Sequence, residues 1–382
     1  MAAPPATRSR KTVKVLFAVA VVAVIAIVAR LAAPKIVLHY VNLALADMGE
    51  YTGSVTDVDL SLLRGGYRLR NLRVVKLDST SDTPFLEMPT MELALEWRAL
   101  FQGRAVGEAV MYEPVVNLVQ GEAASDQQLG TGVNWPQEVR DLFPFNLNSV
   151  EVFNGLVTFR APGISSEESL TLRELHVLLL NLTNVQASED TAFAELALNG
   201  KIMGNAPIEL TGRFEPSNEM PTFDIDMKLE GARLVDVNPW LERFLKADAE
   251  SGVFSMYTEV ASANGRFEGY VKPILENPKF FDVNEASQGP FRKAWEALVN
   301  VAAKILENRE TNQVATQVPL RGEYENPRVG LIEAILNLLR NAFVAAFAHS
   351  LEGTVSLRDV AEDVRTQGGV EAPPPEENGS NR

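Results

Sequence analysis

Apolar and polar residues alternate with period two over most of this chain, from about residue 49 to about residue 272. Met91, Leu93, Leu95 and Trp97 are separated by Glu92, Ala94 and Glu96. Phe223, Ile225, Met227 and Leu229 are separated by Asp224, Asp226 and Lys228. Successive side chains of a strand point to opposite faces, so such stretches predict strands with one apolar and one solvated face, the habit of antiparallel sheets. The same reading predicts strands at 54–61, 67–77, 106–118, 149–160, 170–180, 192–203, 206–214, 253–261 and 265–271.

The pattern is different at the two ends. Residues 15–29 are continuously apolar, and the run extends over 13–33 if Lys14 and Arg30 snorkel at its ends. At about 1.5 Å per residue, such a helix approaches the ~30 Å hydrocarbon thickness of a bilayer. A transmembrane helix is therefore predicted at 13–33, after a short segment 1–12. The rival is a cleavable leader with Leu31-Ala32-Ala33 as its cutting site; Pro34 directly after that site and the long apolar core favour the anchor. Residues 34–48 predict a second, membrane-proximal helix with little polar surface. Asn238-Pro239 opens a short helix, Asn as N-cap and Pro at the first turn. Residues 291–308 are amphipathic, and 331–351, carrying Phe343 and Phe347, form the most apolar helical stretch outside the span. The region 273–365 is thus expected to hold helices and closing strands, and 366–382 a disordered tail rich in Gly, Pro and Glu.

Charge orients this arrangement. Residues 1–35 hold six basic residues and no acid: Arg8, Arg10, Lys11, Lys14, Arg30 and Lys35. The whole chain has 35 Lys plus Arg against 50 Asp plus Glu, so 29 bases face 50 acids beyond residue 35, a charge of −21. The positive-inside rule puts the N-terminus in the cytoplasm and the acidic bulk across the membrane. That acidity argues against nucleic acid as a partner, because phosphates would be repelled. The absence of cysteine excludes a disulfide framework and thiolate metal sites.

No catalytic constellation is visible. His39, His176 and His349 are far apart in apolar surroundings, and no zinc spacing, nucleophile elbow, phosphate loop or dinucleotide fingerprint occurs. Asp224 and Asp226 share one strand face, which reads as a solvated face. The expectation is a protein that is not an enzyme and takes no cofactor and no metal. A long sheet with one apolar face needs a covering layer, and three modest helices are few for ten or more strands. Either the sheet curls on itself and fills its own core, or its inner face takes an apolar ligand. Met91, Leu93, Leu95, Trp97, Phe223, Ile225, Met227 and Leu229 are the candidate lining residues, and Phe343 and Phe347 candidates for closing or gating one end.

A weak repeat is also present: Ser61-Leu62-Leu63-Arg64-Gly65-Gly66 and Ala99-Leu100-Phe101-Gln102-Gly103 each precede a strand. The order of several short stretches carries a family resemblance. These are Met48-Gly49-Glu50-Tyr51-Thr52-Gly53, Val55-Thr56-Asp57-Val58-Asp59-Leu60-Ser61-Leu62-Leu63-Arg64-Gly65 and Leu100-Phe101-Gln102-Gly103. They continue with Glu113-Pro114-Val115-Val116-Asn117-Leu118, Val150-Glu151-Val152-Phe153-Asn154-Gly155-Leu156-Val157 and Leu320-Arg321-Gly322-Glu323-Tyr324-Glu325-Asn326-Pro327-Arg328-Val329. In this order the chain resembles the AsmA-like proteins of the bacterial inner membrane, up to about Asp363. The resemblance implies a mainly β fold with helices: an N-terminal transmembrane helix, then an elongated, curled antiparallel sheet forming a groove over 49–272 in the periplasm, and amphipathic C-terminal helices. It implies kinship with bridge-like lipid-transfer proteins and a role in phospholipid movement or envelope homeostasis. The partners expected are phospholipid, the membrane, and an envelope protein or a second copy. The alternative is a non-catalytic envelope scaffold that recruits a partner without carrying lipid.

Overall fold

A computed structural model of the chain describes residues 10–46, 48–61, 66–77, 83–96, 105–121, 127–129, 145–183, 193–216, 222–245, 248–280, 313–315 and 317–323. The fold is mainly β, one large mixed sheet with few helices. A long helix, α1 (Arg10–Leu45), leads into β1 (Tyr51–Ser54), β2 (Asp57–Ser61), β3 (Gly66–Lys76) and β4 (Leu86–Leu95). Next come β5 (Ala105–Tyr112), β6 (Val115–Val119), β7 (Phe145–Arg160), β8 (Leu170–Thr183), β9 (Ala194–Ile202) and β10 (Ala206–Phe214). The chain ends its described part with β11 (Phe223–Arg233), β12 (Ala249–Ala263), β13 (Arg266–Phe280), β14 (Gln313–Ala315) and β15 (Val318–Glu323). Between β11 and β12 lies a helical cap made of a 3-10 turn (Leu234–Val237), an α-turn (Asn238–Trp240) and a π-turn (Leu241–Leu245).

Among the described residues, fifteen strands occupy twelve positions. Tyr51 pairs with Lys76 and Asp57 with Arg70, so β1 and β2 lie end to end on β3 in one register. β5 and β6 share one register on β4, through Leu95 with Gly107 and Leu86 with Val116. β14 and β15 do so on β13, through Ile274 with Ala315 and Arg266 with Glu323. Eleven spacings of about 4.8 Å carry the sheet over about 53 Å from its first edge to its last.

The sheet departs from the antiparallel expectation at one place. β7 runs parallel to both β5 and β6 (Met111 beside Val152, Val116 beside Val157), whereas the other strand pairings are antiparallel. Hydrophobic alternation encodes which face a side chain takes but not which way a strand runs. The direction is set by the connection: the 25 residues 120–144 separate the end of β6 from the start of β7, enough for the crossover that parallel pairing requires. The break between β5 and β6 also divides the stretch 106–118, which alternation alone reads as a single strand.

A line of irregular residues crosses five neighbouring positions of the sheet. Asn71 in β3, Glu113 between β5 and β6, Asn154 in β7 and Glu174 in β8 all have positive φ, between 51° and 54°. Pro89 of β4 sits at the same level, between the pairs Arg70–Thr90 and Leu72–Met88. The left-handed conformation costs a non-glycine residue on the order of 1–2 kcal/mol, and Asn is among the side chains that tolerate it through local hydrogen bonds. Asn71 Nδ2 donates to Thr56 Oγ1 at 3.0 Å, and Asn154 Nδ2 donates to Glu113 Oε1 at 3.4 Å. Such bulges add twist and bend a strand. They also shift the phase of alternation: Leu69 and Leu72, on either side of Asn71, face the same way, as do Met88 and Met91 around Pro89. Further along, Gly231, Gly252 and Asn277 break the registers of β11, β12 and β13 in the same manner.

The last turns of α1 pack on β1 and β2. Asn42 fixes the contact, accepting from the Val55 amide at 2.7 Å and donating Nδ2 to the Val55 carbonyl at 3.0 Å. These are the two backbone groups left over where β1 breaks from β2, so the helix is pinned at the break in the edge strand. α1 runs without interruption through Pro34, joining 13–33 to the stretch expected at 34–48 as one helix, which ends at Leu45; Met48 instead forms a β-bridge with Tyr51.

Candidate functional site

The candidate lining residues that the structure describes, Met91, Leu93, Leu95, Phe223, Ile225, Met227 and Leu229, are brought to one face of one sheet. Residues paired across strands share a face, and the pairings link Leu69, Met91, Met111, Val152, Val177, Leu198, Leu210 and Met227 into a single transverse row. A second row links Tyr67, Leu93, Ala109, Val150, Leu179, Leu196, Gly212 and Ile225. Met91 and Met227, or Leu93 and Ile225, therefore stand in the same row six positions apart, about 29 Å along the sheet. Leu95 joins this face through Gly107, while Phe223 and Leu229 join it opposite Phe214 and Ile208. Trp97, Phe343, Phe347, His349 and the stretches 291–308, 331–351 and 366–382 lie outside the described residues.

Burial divides the face. Phe223, Ile225, Met227 and Leu229 are only 3%, 3%, 8% and 2% exposed. Met91, Leu93 and Leu95 are half-buried, as are Val152, Val177, Leu179, Leu196 and Leu198 in the same rows. The latter five were hidden within predicted strands, and alternation would have identified them had each phase been followed through the bulges. Among the long side chains of these two rows the change falls between β10 and β11; Ala109 and Val150, shorter and set between them, are 0% and 5% exposed, and Met48, Tyr51 and Val74 form a smaller buried cluster at the α1 end.

Beyond that boundary the apolar residues find partners among themselves. Met227, Leu229, Phe254, Met256, Val271 and Leu275 form one cluster with Leu234, Val237 and Leu241 of the cap. Phe223, Ile225 and Val260 form another, joined by Leu210, Phe214, Phe267 and Leu320. Glycines make room for this: the Phe267 ring lies over Gly322, where a Cβ would come within 2.6 Å of it. The cap also reaches back to the β7–β8 connection. Trp240 stacks on Phe159 at 5.3 Å and donates Nε1 to the Glu168 carbonyl at 2.8 Å, and Arg243 Nε donates to the Pro162 carbonyl at 3.0 Å.

The opposite face is solvated and charged. Cross-strand pairs join Arg68 to Glu92 at 2.6 Å, Arg70 to Asp59 at 2.8 Å, Lys201 to Glu174 at 2.6 Å and Arg213 to Asp224 at 3.2 Å. Such exposed pairs contribute roughly 0–1 kcal/mol each, so they mark the wet side and do little to hold the fold. Asp226 lies opposite Glu259. Desolvation, then the charges of Glu259 and Asp224, hold its carboxyl above the ordinary range. Tyr270 donates its hydroxyl to Glu259 Oε1 at 2.5 Å, which with burial pushes its pKa up to about 12. Leu178, Leu180, Glu195, Arg213, Asp224 and Asp226 line a shallow cavity of about 450 Å³ on this side. Leu196, Ala197, Thr211 and Gly212 complete its lining.

The histidines are not assembled. His176 stacks on Phe153 at 4.8 Å on the charged face, and His39 meets Tyr40 edge-on within α1 at 5.7 Å. Among the described residues no group of three or more His, Asp or Glu is placed to hold a metal ion.

Before its last turns, α1 exposes apolar side chains: Phe17 is 72% exposed and Leu31 70%. Among the described residues no helix is long and apolar enough to cross a membrane. The α1 backbone itself continues for 36 residues, about 54 Å at ~1.5 Å each. No family model matches the sequence, and no curated protein matches it.

Proposed function

We propose that this protein is a membrane-anchored, non-catalytic holder of phospholipid acyl chains. The observation that carries the reading is the continuous transverse rows of apolar side chains between β3 and β10, whose larger members, Met91, Leu93, Leu179, Leu196 and Leu198, are only half-buried while Ala109 and Val150 between them are buried. The line of bulges at Asn71, Pro89, Glu113, Asn154 and Glu174 bends neighbouring strands at one level. Bending each strand there would turn the sheet into a groove running along its ~53 Å length. Acyl chains laid in such a groove would gain about 25 cal/mol for each Å² of apolar surface removed from water.

α1 places the groove at its source. Its exposed apolar surface and basic flank suit a single span with the N-terminus cytoplasmic and the sheet on the far side, as the positive-inside rule directs. Asn42 would hold the first edge of the sheet close to the bilayer. An AsmA-like affiliation, a place in the bacterial inner membrane with the bulk in the periplasm, and a part in envelope lipid transport belong to the same reading.

Native mass spectrometry of the full chain, released from membranes in mild detergent, tests it. Bound phospholipid that survives desolvation is expected; a chain that carries only detergent under conditions that preserve its fold would sink the proposal.

A second reading has its own observation. On the charged face Tyr112 and Phe153 stack at 5.8 Å while 38% and 36% exposed, and His176 extends the stack. Exposed aromatic ladders suit protein docking, in keeping with a scaffold. Replacing Tyr112 and Phe153 with Ser would abolish a partner complex under that reading and leave lipid content untouched under the first.

A further inference from the structure

We propose that the sheet lies along the membrane instead of rising from it. α1 stands beside the first strands with its axis along theirs, so the Ser61 end of those strands faces the bilayer and the ~53 Å strand-to-strand direction runs in the membrane plane. This rests on α1 being the span of the proposed function, and adds which rim of the sheet meets lipid and how far the protein reaches.

Three contacts set the direction of α1 against the edge strands. Thr52 Oγ1 donates to the Ala46 carbonyl at 3.3 Å. A Cβ on Gly53 would lie 3.2 Å from the Leu45 Cβ, and Asn42 holds both backbone groups of Val55. As the strand advances from 52 to 55 the helix retreats from 46 to 42, so the two run antiparallel and side by side. Contact continues onto β2. The half-buried positions of α1 agree: Pro34, Val37, Leu38, Val41, Asn42 and Leu45 recur at helical spacing as one stripe, while Lys35 and Tyr40 are exposed. With Tyr51, Val55 and Val58 only 1%, 3% and 2% exposed, helix and edge strands are packed shut, and lipid has no way in between them.

Helix and strand rises fix the height. From Leu45 back to Ala33, the end of the span expected from the sequence, α1 rises about 18 Å, the length of between five and six strand residues. Counted from Gly53, the end of the span stands level with Val58 and Asp59, and β2 continues past them to Ser61. The Ser61 rim therefore reaches the headgroup layer. Ser61 pairs with Gly66 and Leu95 with Gly107, so β2 to β5 all begin or end there. Composition separates the two rims in the same sense. The sequences joining β2 to β3 and β4 to β5 hold Leu62, Leu63, Leu100 and Phe101, whereas the β7–β8 connection at the other rim holds Glu167 and Glu168. Apolar residues suit contact with a bilayer surface, and acids do not. Twist turns the later strands about the long axis of the sheet and leaves that axis in the membrane plane. Reach from the bilayer is then a strand length, about 36 Å for the 11 residues of β3, and lipid enters over the Ser61 rim.

The test uses the full chain in vesicles of phosphatidylethanolamine and phosphatidylglycerol. A fluorescent donor is placed by Phe17→Cys, Ser61→Cys, Leu77→Cys or Lys272→Cys, all at exposed positions, and energy transfer to an acceptor on phospholipid headgroups reports height. Positions 61 and 77 mark opposite ends of the first strands, and 272 the middle of β13. Transfer is expected to be strong from 17 and 61 and at least threefold weaker from 77, with 272 between 61 and 77. Equal transfer from 61 and 77, with at least tenfold less from 272, would mean a sheet that rises from the membrane; it would overturn the proposal and leave the anchor intact. No transfer from 17 would overturn the anchor itself.

Discussion

The two halves of the sheet carry the same alternation and end in different states. The Leu93 side chain is half-buried, whereas Ile225, in the same row, is 3% exposed. The difference does not come from hydrophobicity, since both stretches alternate apolar residues with acids. It comes from what lies across from each residue: Gly212 and Gly269 beside Ile225 and Val260, and a helical cap held over the far strands. An alternating strand thus says which face is apolar, and only its neighbours decide whether that face is a core or a surface.

The largest effect that separates the halves is packing. Phe223→Ala should cost about 3–5 kcal/mol, as large-to-small changes in a filled core do, and lower the midpoint of thermal or urea unfolding accordingly. Leu93→Ala should cost less than about 1.5 kcal/mol, because its side chain is only partly withdrawn from water, while reducing bound phospholipid. Equal destabilisation by the two would remove the distinction.

Asn42→Ala probes the hinge between anchor and sheet. It leaves the Val55 amide and carbonyl without their partner and should cost about 1–3 kcal/mol, concentrated locally. Hydrogen exchange should show the Val55 amide losing protection while β11–β13 keep theirs.

A smaller gain is expected at the line of bulges. Glu113→Gly relieves a φ of 53° on a non-glycine residue and should stabilise the chain by up to about 1 kcal/mol. No change, or a loss, in the unfolding midpoint would mean that the Glu113 side chain contributes more than its backbone conformation costs.

The smallest effect concerns the wet face. Asp226 has its carboxyl raised above the ordinary range, so the folded chain holds that proton more tightly than the unfolded one. Its contribution to stability is present in full below the unfolded pKa and is lost as pH rises through the folded pKa. Asp226→Asn should therefore stabilise at neutral pH, by about 0.5 kcal/mol or less for so exposed a site, with the advantage vanishing in acid. Unfolding midpoints at pH 4 and pH 7 would check the sign.

Much of the fold was legible in the sequence because period two survives in each strand, and the range 206–214 coincides with β10. The bulges were not legible. Asn71, Glu113 and Glu174 are ordinary polar residues whose left-handed backbone is imposed by pairing, and each slips the alternation by one. The parallel run of β7 was hidden for a related reason, since direction resides in the 120–144 crossover and not in any side chain. At the site, alternation put Met91, Leu93 and Leu95 on one face of their strand and Phe223 to Leu229 on one face of theirs, and strand pairing joins the two sets on a single face of the sheet. What alternation lacks is the third dimension, so it could not separate the open members from the filled ones. Asn42 was invisible because its partner, the break at Val55, exists only once β1 and β2 are laid on β3.

The absence of cysteine from the chain makes a direct measurement of the two halves clean. Single-cysteine variants Leu93→Cys, Leu179→Cys and Met227→Cys, in lipid-stripped full-length protein, would be timed against a maleimide before and after addition of phospholipid. Cys at 93 and 179 should react rapidly and become protected by lipid, while Cys at 227 should stay at least tenfold slower under both conditions. Equal rates at all three positions, or no protection by lipid at 93 and 179, would contradict an open, lipid-holding half beside a closed one.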